Sequence, residues 1–155
     1  MIDLIDSGGP SPRAPGKIHG RADRESVLTA RPLYRAAVYA RARPTYPAEA
    51  MDAIVSGCDT HGATTAADIG AGTGISSRLL AARNCHVLAI EPNRDMRERG
   101  AADTRDVQPP IRWIDACGES TTLDDTSVDL ILCAQSFHWL DRPRAMDEFH
   151  RILRP

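Results

Sequence analysis

The sequence predicts an α/β fold, a doubly wound parallel sheet with helices on both faces. Three observations carry this. Short apolar runs at residues 65–69, 87–90, 111–114 and 128–134 alternate with segments of helical periodicity. The runs are almost continuously apolar, without the in–out alternation of a sheet with one wet face, so both faces need a covering layer. Finally, Gly70, Gly72 and Gly74 stand between the first run and the helix after it, where sheets of this kind bind ligands.

Residues 1–30 are expected to form a flexible tail. Prolines, glycines and serines crowd residues 7–16, and such a stretch buries too little apolar surface to offset its ordering entropy. Residues 31–155 form the expected domain. A short helix is expected over 33–40, broken by Pro44 and Pro47. A second helix runs from Ala48 to about Ser56, with Met51, Ile54 and Val55 on one face and Gly57 as its stop. The first strand, at 65–69, leads into a helix over 75–83 whose apolar positions are Ile75, Leu79 and Ala82. The second strand covers 87–90. Pro92 fits the first turn of the next helix, which reaches about Ala101. Pro109 and Pro110 mark a loop before the third strand, at 111–114. About thirteen residues separate it from the fourth, at 128–134, which is room for one helical turn or none. The last helix covers 142–153, with Ala145, Met146, Phe149, Ile152 and Leu153 on one face.

Composition narrows the function. Of 155 residues, 42% are hydrophobic, which suits a packed domain. The net charge is −2 and the pI about 6.2, with arginines interspersed among acids, so no basic surface for nucleic acid or anionic membrane is expected. Cys58, Cys85, Cys117 and Cys133 are spread without a Cys-x-x-Cys pair and read as reduced thiols. No leader-like or membrane-length apolar run occurs, so a cytoplasmic location is expected. His19, His61, His86 and His150 show no metal-ligand spacing, and no metal site is expected.

The stretch Asp68-Ile69-Gly70-Ala71-Gly72-Thr73-Gly74 is the most informative. Glycines let the backbone turn sharply and let a ligand approach without meeting a Cβ. A dinucleotide fingerprint needs glycine at its first, third and sixth positions, here Gly70, Gly72 and Ile75. The sixth position fails. Asp68 would also set a carboxylate near any phosphates, which favours a cationic or zwitterionic ligand instead. Glu91 follows the second strand, twenty-one positions after Gly70, where a carboxylate accepts from both ribose hydroxyls of an adenosine. That feature serves nicotinamide and sulfonium cofactors alike, so the glycine loop discriminates between them.

At this point the sequence resembles the class I S-adenosyl-L-methionine-dependent methyltransferases, and within them the small-molecule branch called methyltransferase type 11. The resemblance covers about residues 38–155 and rests on four blocks in order. They are Tyr39 to Pro47; the glycine loop; Ile90-Glu91-Pro92-Asn93 with Met96; and Gly118-Glu119 through Asp129-Leu130 to Ala134-Gln135-Ser136-Phe137-His138-Trp139. The final helix, ending Arg151 to Pro155, is similar to the family's segment before its fifth strand.

The resemblance implies a Rossmann-like sheet of order 3-2-1-4. It further implies that Asp68 and the loop Gly70, Ala71, Gly72, Thr73 and Gly74 hold the methionine portion of the cofactor. Glu91, followed by Pro92, would bind the ribose. Cys117, Gly118 and Glu119 would line the adenine, and Ala134 and Gln135 would face the amino group and the reacting methyl. Arg43 and Tyr46 would reach the cofactor's carboxylate or close the pocket. Two departures stand out. Cys117 occupies a place where many relatives carry an aspartate, which leaves the adenine contact to the backbone or to Asp115. Relatives also continue past Pro155 with three more strands, so a chain truncated before its fold is finished is expected.

His138 and Trp139 follow the fourth strand, where a methyl acceptor would bind. His138 is the candidate general base and Trp139 a candidate stacking surface. The expected function is methyl transfer from S-adenosyl-L-methionine to a small-molecule acceptor, with S-adenosyl-L-homocysteine as product. One rival is an inactive or assembly-dependent fragment that self-associates through the apolar edge of the fourth strand. The other is a nucleotide-dependent oxidoreductase, which Ile75 argues against.

Overall fold

A computed structural model of the 155-residue chain describes residues 46–58 and 63–155. The expected tail, the helix at 33–40, and Tyr39 to Thr45 with Arg43 lie outside the described residues. The order is α1 (Ala48–Ser56), β1 (Thr65–Ile69), α2 (Ile75–Ala81), β2 (His86–Ile90), α3 (Arg94–Asp103), β3 (Arg112–Ile114), β4 (Leu130–Leu132), a 3-10 turn (Phe137–Trp139) and α4 (Arg142–Ile152).

The four strands form one parallel sheet of order β3-β2-β1-β4, as expected. Each step from β1 to β2 to β3 moves one place outward, and the chain then returns to the far side of β1 for β4. The direction therefore reverses between β1 and β4, where parallel sheets open a crevice at their carboxyl ends. In register, Ile69 lies beside Ile90, Asp68 beside Leu132 and Ile90 beside Ile114.

Successive residues of β1 serve opposite faces of the sheet. Ala66 joins Met51, Leu80, Ala81, Cys85 and Val87 in a buried cluster under α1 and α2. Ala67 and Ile69 join Ile90, Val128, Ala145, Phe149 and Ile152 in a second cluster under α4. The two central alanines are fully buried, and small side chains there let helices approach from both sides. The connection between β3 and β4 has no helix, only a short bridge between Cys117 and Ser120.

Several local expectations need correction. α2 buries Ser76, Ser77, Leu80 and Ala81, while Ile75 and Leu79 are half-buried and Ala82 is exposed. The buried serines disguised that face, because their hydroxyls are satisfied by a buried carboxylate on β1. Pro92 lies before α3 rather than in its first turn. Asn93 caps that helix, its side-chain oxygen accepting from the Met96 N–H at 3.0 Å. Ile54, Met146 and Leu153 sit on the rims of their apolar stripes and are exposed. β3 and β4 are shorter than their apolar runs. Val128 instead makes a bridge to Leu153, which ties the end of α4 to the start of β4.

Candidate functional site

The expected site residues converge on the carboxyl ends of the strands. The 70–74 loop leaves β1, Glu91 leaves β2, the 117–119 segment follows β3, and Ala134 and Gln135 follow β4.

Gly70, Gly72 and Gly74 all take left-handed backbone angles, φ 68°, 60° and 78°. A side chain would be strained at each. Their surroundings separate them. A Cβ at Gly70 would come within 2.6 Å of the Ser136 Cβ, across the β1–β4 crevice. A Cβ at Gly74 would come within 2.9 Å of the Trp113 ring. At Gly72 a Cβ would meet none of the described residues within 4 Å. Two of the glycines are therefore required by the protein's own packing. Gly72 faces none of the described residues, and there another molecule can lie against the backbone.

Glu91 is tied into this loop. It is 8% exposed, and each carboxylate oxygen accepts one backbone N–H. Oε2 accepts from Gly72 at 2.8 Å and Oε1 from Asn93 at 2.8 Å. Its own N–H donates to the Ile114 carbonyl at 3.1 Å. Its carbonyl accepts from Arg97 Nη1 at 2.7 Å. All four polar groups of Glu91 are engaged, which joins β1, β2, β3 and α3 at one residue. Burial pushes its carboxyl above the ordinary range. The Asn93 and Gly72 N–H groups and the Arg97 charge work against that rise, and Asp68 adds to it. Each carboxylate oxygen keeps a lone pair for a further donor.

Asp68 is fully buried near the end of β1. Its Oδ2 accepts from Ser76 Oγ at 2.7 Å and Ser77 Oγ at 2.6 Å, which holds the first turn of α2 under the loop. Oδ1 has no hydrogen-bond partner among the described residues. Burial drives its carboxyl up, opposed by the two hydroxyls. An unpaired buried acceptor is costly, so a donor that reaches this atom is favoured.

Gly118 packs between β1 and the segment before α4. A Cβ there would meet the Ile69 Cγ2 at 2.8 Å and the Leu140 side chain at 3.0 Å. Glu119 Oε1 accepts from the Asp141 N–H at 2.8 Å, so the 117–119 segment is anchored to the start of α4. Asp115 is largely exposed, and its carboxylate pairs with Arg97 Nη2 at 2.7 Å. Cys117 is half-buried and its thiol is pushed up by burial. Burial also pushes the Cys133 thiol up to about 11, so both remain protonated at neutral pH and are poor nucleophiles.

Past β4, Ala134 is half-buried and Gln135 is exposed with φ 58°. Gln135 is a non-glycine residue in a strained conformation at a crevice. The buried Ser136 explains how the turn is held, since its hydroxyl donates to the Ile69 carbonyl at the end of β1. His138 is exposed, and its ring lies 4.8 Å from that of Trp139, itself 60% exposed. Tyr46 packs against the Met51 cluster, and its buried hydroxyl has no hydrogen-bond partner among the described residues. Among the described residues no cluster of ligating side chains could hold a metal ion, and no helix is long and apolar enough to cross a membrane.

Sequence reasoning missed Ser76, Ser77, Arg97, Trp113 and Ser136. Ser76 and Ser77 meet Asp68 eight and nine positions back, Arg97 meets Glu91 six back, and Ser136 meets Ile69 sixty-seven back, pairings that no motif marks. The adjacent serines at the start of a helix were the one visible hint.

Comparison with known proteins agrees with this geometry. A family model described as a methyltransferase domain matches residues 67–155. An uncharacterised methyltransferase of Mycobacterium tuberculosis is 38% identical over 117 residues, covering 76% of this chain and 45% of that protein. Among solved structures, a putative type II methyltransferase from Anaeromyxobacter dehalogenans superposes with a TM-score of 0.63 at 30% identity. The match covers 73% of this chain and 45% of that one. A putative methyltransferase from an antibiotic biosynthesis pathway of Anabaena variabilis gives a TM-score of 0.57 at 31% identity, covering 71% and 43%. The chain thus spans less than half the length of these relatives.

Proposed function

Because the chain belongs to the methyltransferase-domain family and carries the class I S-adenosylmethionine-dependent methyltransferase fold, we propose that it binds S-adenosyl-L-methionine along the carboxyl ends of β1 to β4. There it donates the methyl group to a small-molecule acceptor and releases S-adenosyl-L-homocysteine. The observation that carries this reading is the open face at Gly72 beside the buried Glu91. A backbone that a ligand can touch lies one hydrogen bond from a carboxylate with lone pairs to spare.

The residues fit this cofactor. Asp68 Oδ1, buried and without a partner among the described residues, suits an ammonium group. Glu91 suits the two ribose hydroxyls. The same acids oppose a pyrophosphate, and Trp113 fills the space beside Gly74. The half-buried 117–119 segment offers backbone groups and a polarisable thiol to an adenine edge. Asp115 serves it less well, since its carboxylate already pairs with Arg97.

When bound, the cofactor supplies a methyl activated by its sulfonium. The chain's own part is to hold it, to align an acceptor and to exclude water. Gln135 and Ser136 shape the crevice wall past β4. His138 and Trp139 lie next along the chain and support an acceptor side there, with His138 as candidate base and Trp139 as an apolar platform.

Isothermal titration with S-adenosyl-L-homocysteine, beside a Glu91→Ala control, tests the proposal. Micromolar binding that the control loses is expected. A folded protein that binds neither this compound nor S-adenosyl-L-methionine at millimolar concentration overturns it.

A further inference from the structure

α3 carries three arginines with different surroundings. Arg94 and Arg99 have side chains 80% and 59% exposed, each paired with an acid one turn on, Glu98 and Asp103. Such pairs contribute little to a folded protein. The Arg97 side chain is only 15% exposed. It turns back over the sheet, and its two terminal nitrogens go to two adjacent strand ends. Nη1 donates to the Glu91 carbonyl past β2 at 2.7 Å, and Nη2 to Asp115 Oδ2 past β3 at 2.7 Å. A planar guanidinium presents donors in a fixed fork, so it sets the separation of the groups it joins in a way that a flexible ammonium does not.

We propose that Arg97 is a positioning residue for the adenosine half of the cofactor, clamping the carboxyl ends of β2 and β3 so that the Glu91 carboxylate stands where ribose hydroxyls reach it. The proposal rests on reading this site as one for S-adenosyl-L-methionine. Arg97 does not touch the acceptor or the reacting methyl in this scheme. It acts through the Glu91 main chain, while the Gly72 and Asn93 N–H groups hold the side chain.

The clamp also has an electrostatic side. The charged groups set against Glu91 are Asp68 on β1, which favours the protonated carboxyl, and Arg97 on α3, which favours the ionised one. Asp115 past β3 is paired with Arg97. Loss of the Arg97 charge moves Glu91 towards protonation. A protonated carboxyl has one oxygen occupied by hydrogen and fewer acceptor sites for two hydroxyls.

Titration calorimetry with S-adenosyl-L-homocysteine between pH 5.5 and 8 tests this on the full chain, with circular dichroism melts as a check on folding. Arg97→Met is expected to weaken binding at pH 7 about tenfold or more, as losing a charge-assisted hydrogen bond does. It should also raise the pH below which binding fades. Arg97→Lys keeps the charge without the fork. It should restore the pH profile more fully than the affinity. A role in packing alone would lower the melting temperature and leave the pH profile in place, which overturns the proposal. Wild-type affinity and profile in Arg97→Met overturn it as well. If Arg97→Met fails to fold, Asp115→Ala removes the β3 anchor at an exposed position. A loss of a few fold is then expected, and unchanged affinity refutes the clamp. Failure of the wild type to bind instead removes the cofactor reading itself, and the clamp with it.

Discussion

The Gly72 N–H and the Glu91 Oε2 are 2.8 Å apart, so the loop after β1 and the acid after β2 are one unit. The second oxygen of Glu91 takes the Asn93 N–H in the same way. Glu91→Ala removes both acceptors and leaves two partly buried donors unpaired, each a cost of about 1–3 kcal/mol. Amide hydrogen exchange should therefore speed up about tenfold or more at both Gly72 and Asn93, with the α4 amides as an unchanged reference. Unaltered exchange at Gly72 would mean that the loop holds its shape without the acid.

The loop glycines should respond unequally to alanine. Gly72→Ala strains one left-handed residue, about 1–3 kcal/mol, and clashes with none of the described residues. It should fold and should lose S-adenosyl-L-homocysteine binding, since the new methyl group occupies the open face. Gly70→Ala carries the same strain plus a collision with Ser136, and should melt lower than Gly72→Ala.

Gly100 gives a second glycine test, away from the loop. A Cβ there would lie 2.2 Å from the Trp113 ring, whose Nε1 donates to Thr104 Oγ1 at 3.1 Å. Overpacking of this kind costs about 1–3 kcal/mol. Urea unfolding of Gly100→Ala, alone and combined with Trp113→Leu, should show strong coupling, because the smaller side chain admits the new methyl. Additive losses would place the strain elsewhere.

Glu148 gives the acid limb of stability. Oε1 accepts from the Thr121 N–H and from Arg151 Nη2, and Oε2 from Arg151 Nε. The Arg151 guanidinium is the main cause that draws its carboxyl down from an ordinary 4.5 to about 2. A lowered folded value means that the stabilisation is complete above the unfolded value and fades as pH falls towards about 2. Glu148→Gln should flatten the loss of melting temperature across that window. An acid limb as steep as the wild type's would assign it to other carboxylates.

Asp68 has the opposite sign. Burial raises its carboxyl in the folded protein, so its ionisation opposes folding increasingly as pH rises above the unfolded value. Asp68→Asn should melt at least as high as wild type at pH 8, with the difference shrinking towards pH 4. The variant should also bind S-adenosyl-L-homocysteine more weakly, a loss of function with no loss of stability. A variant that melts lower at every pH would show that the two serine hydroxyls need the carboxylate's charge.

How much of this was legible differs from residue to residue. The bounds of α1 and β1 and the parallel alternation of strands and helices followed from apolar runs, glycine and proline, because each is a local signal, while the strand order came from the family resemblance. The face of α2 was read one residue out of phase, since a buried serine looks polar until Asp68 is known to lie beneath it. Asp68, Gly70 to Gly74, Glu91, 117–119 and 134–135 were all named from sequence, and all lie at one end of the sheet. A strand-turn-helix pattern places its turn at a carboxyl end before any side chain is seen.

By itself, then, the sequence determined the alternation of strands and helices, the parallel sheet and the short list of polar residues at its ligand end. The tertiary structure decided which of them face one another. Only there does Gly72 differ from Gly70 and Gly74, because the difference lies in Ser136 and Trp113, distant along the chain. Only there does Arg97 part from Arg94 and Arg99, three arginines alike in composition and near neighbours in sequence. Burial, reach and the partner at the end of the side chain are properties of the folded neighbourhood, and residue spacing along one chain does not encode them.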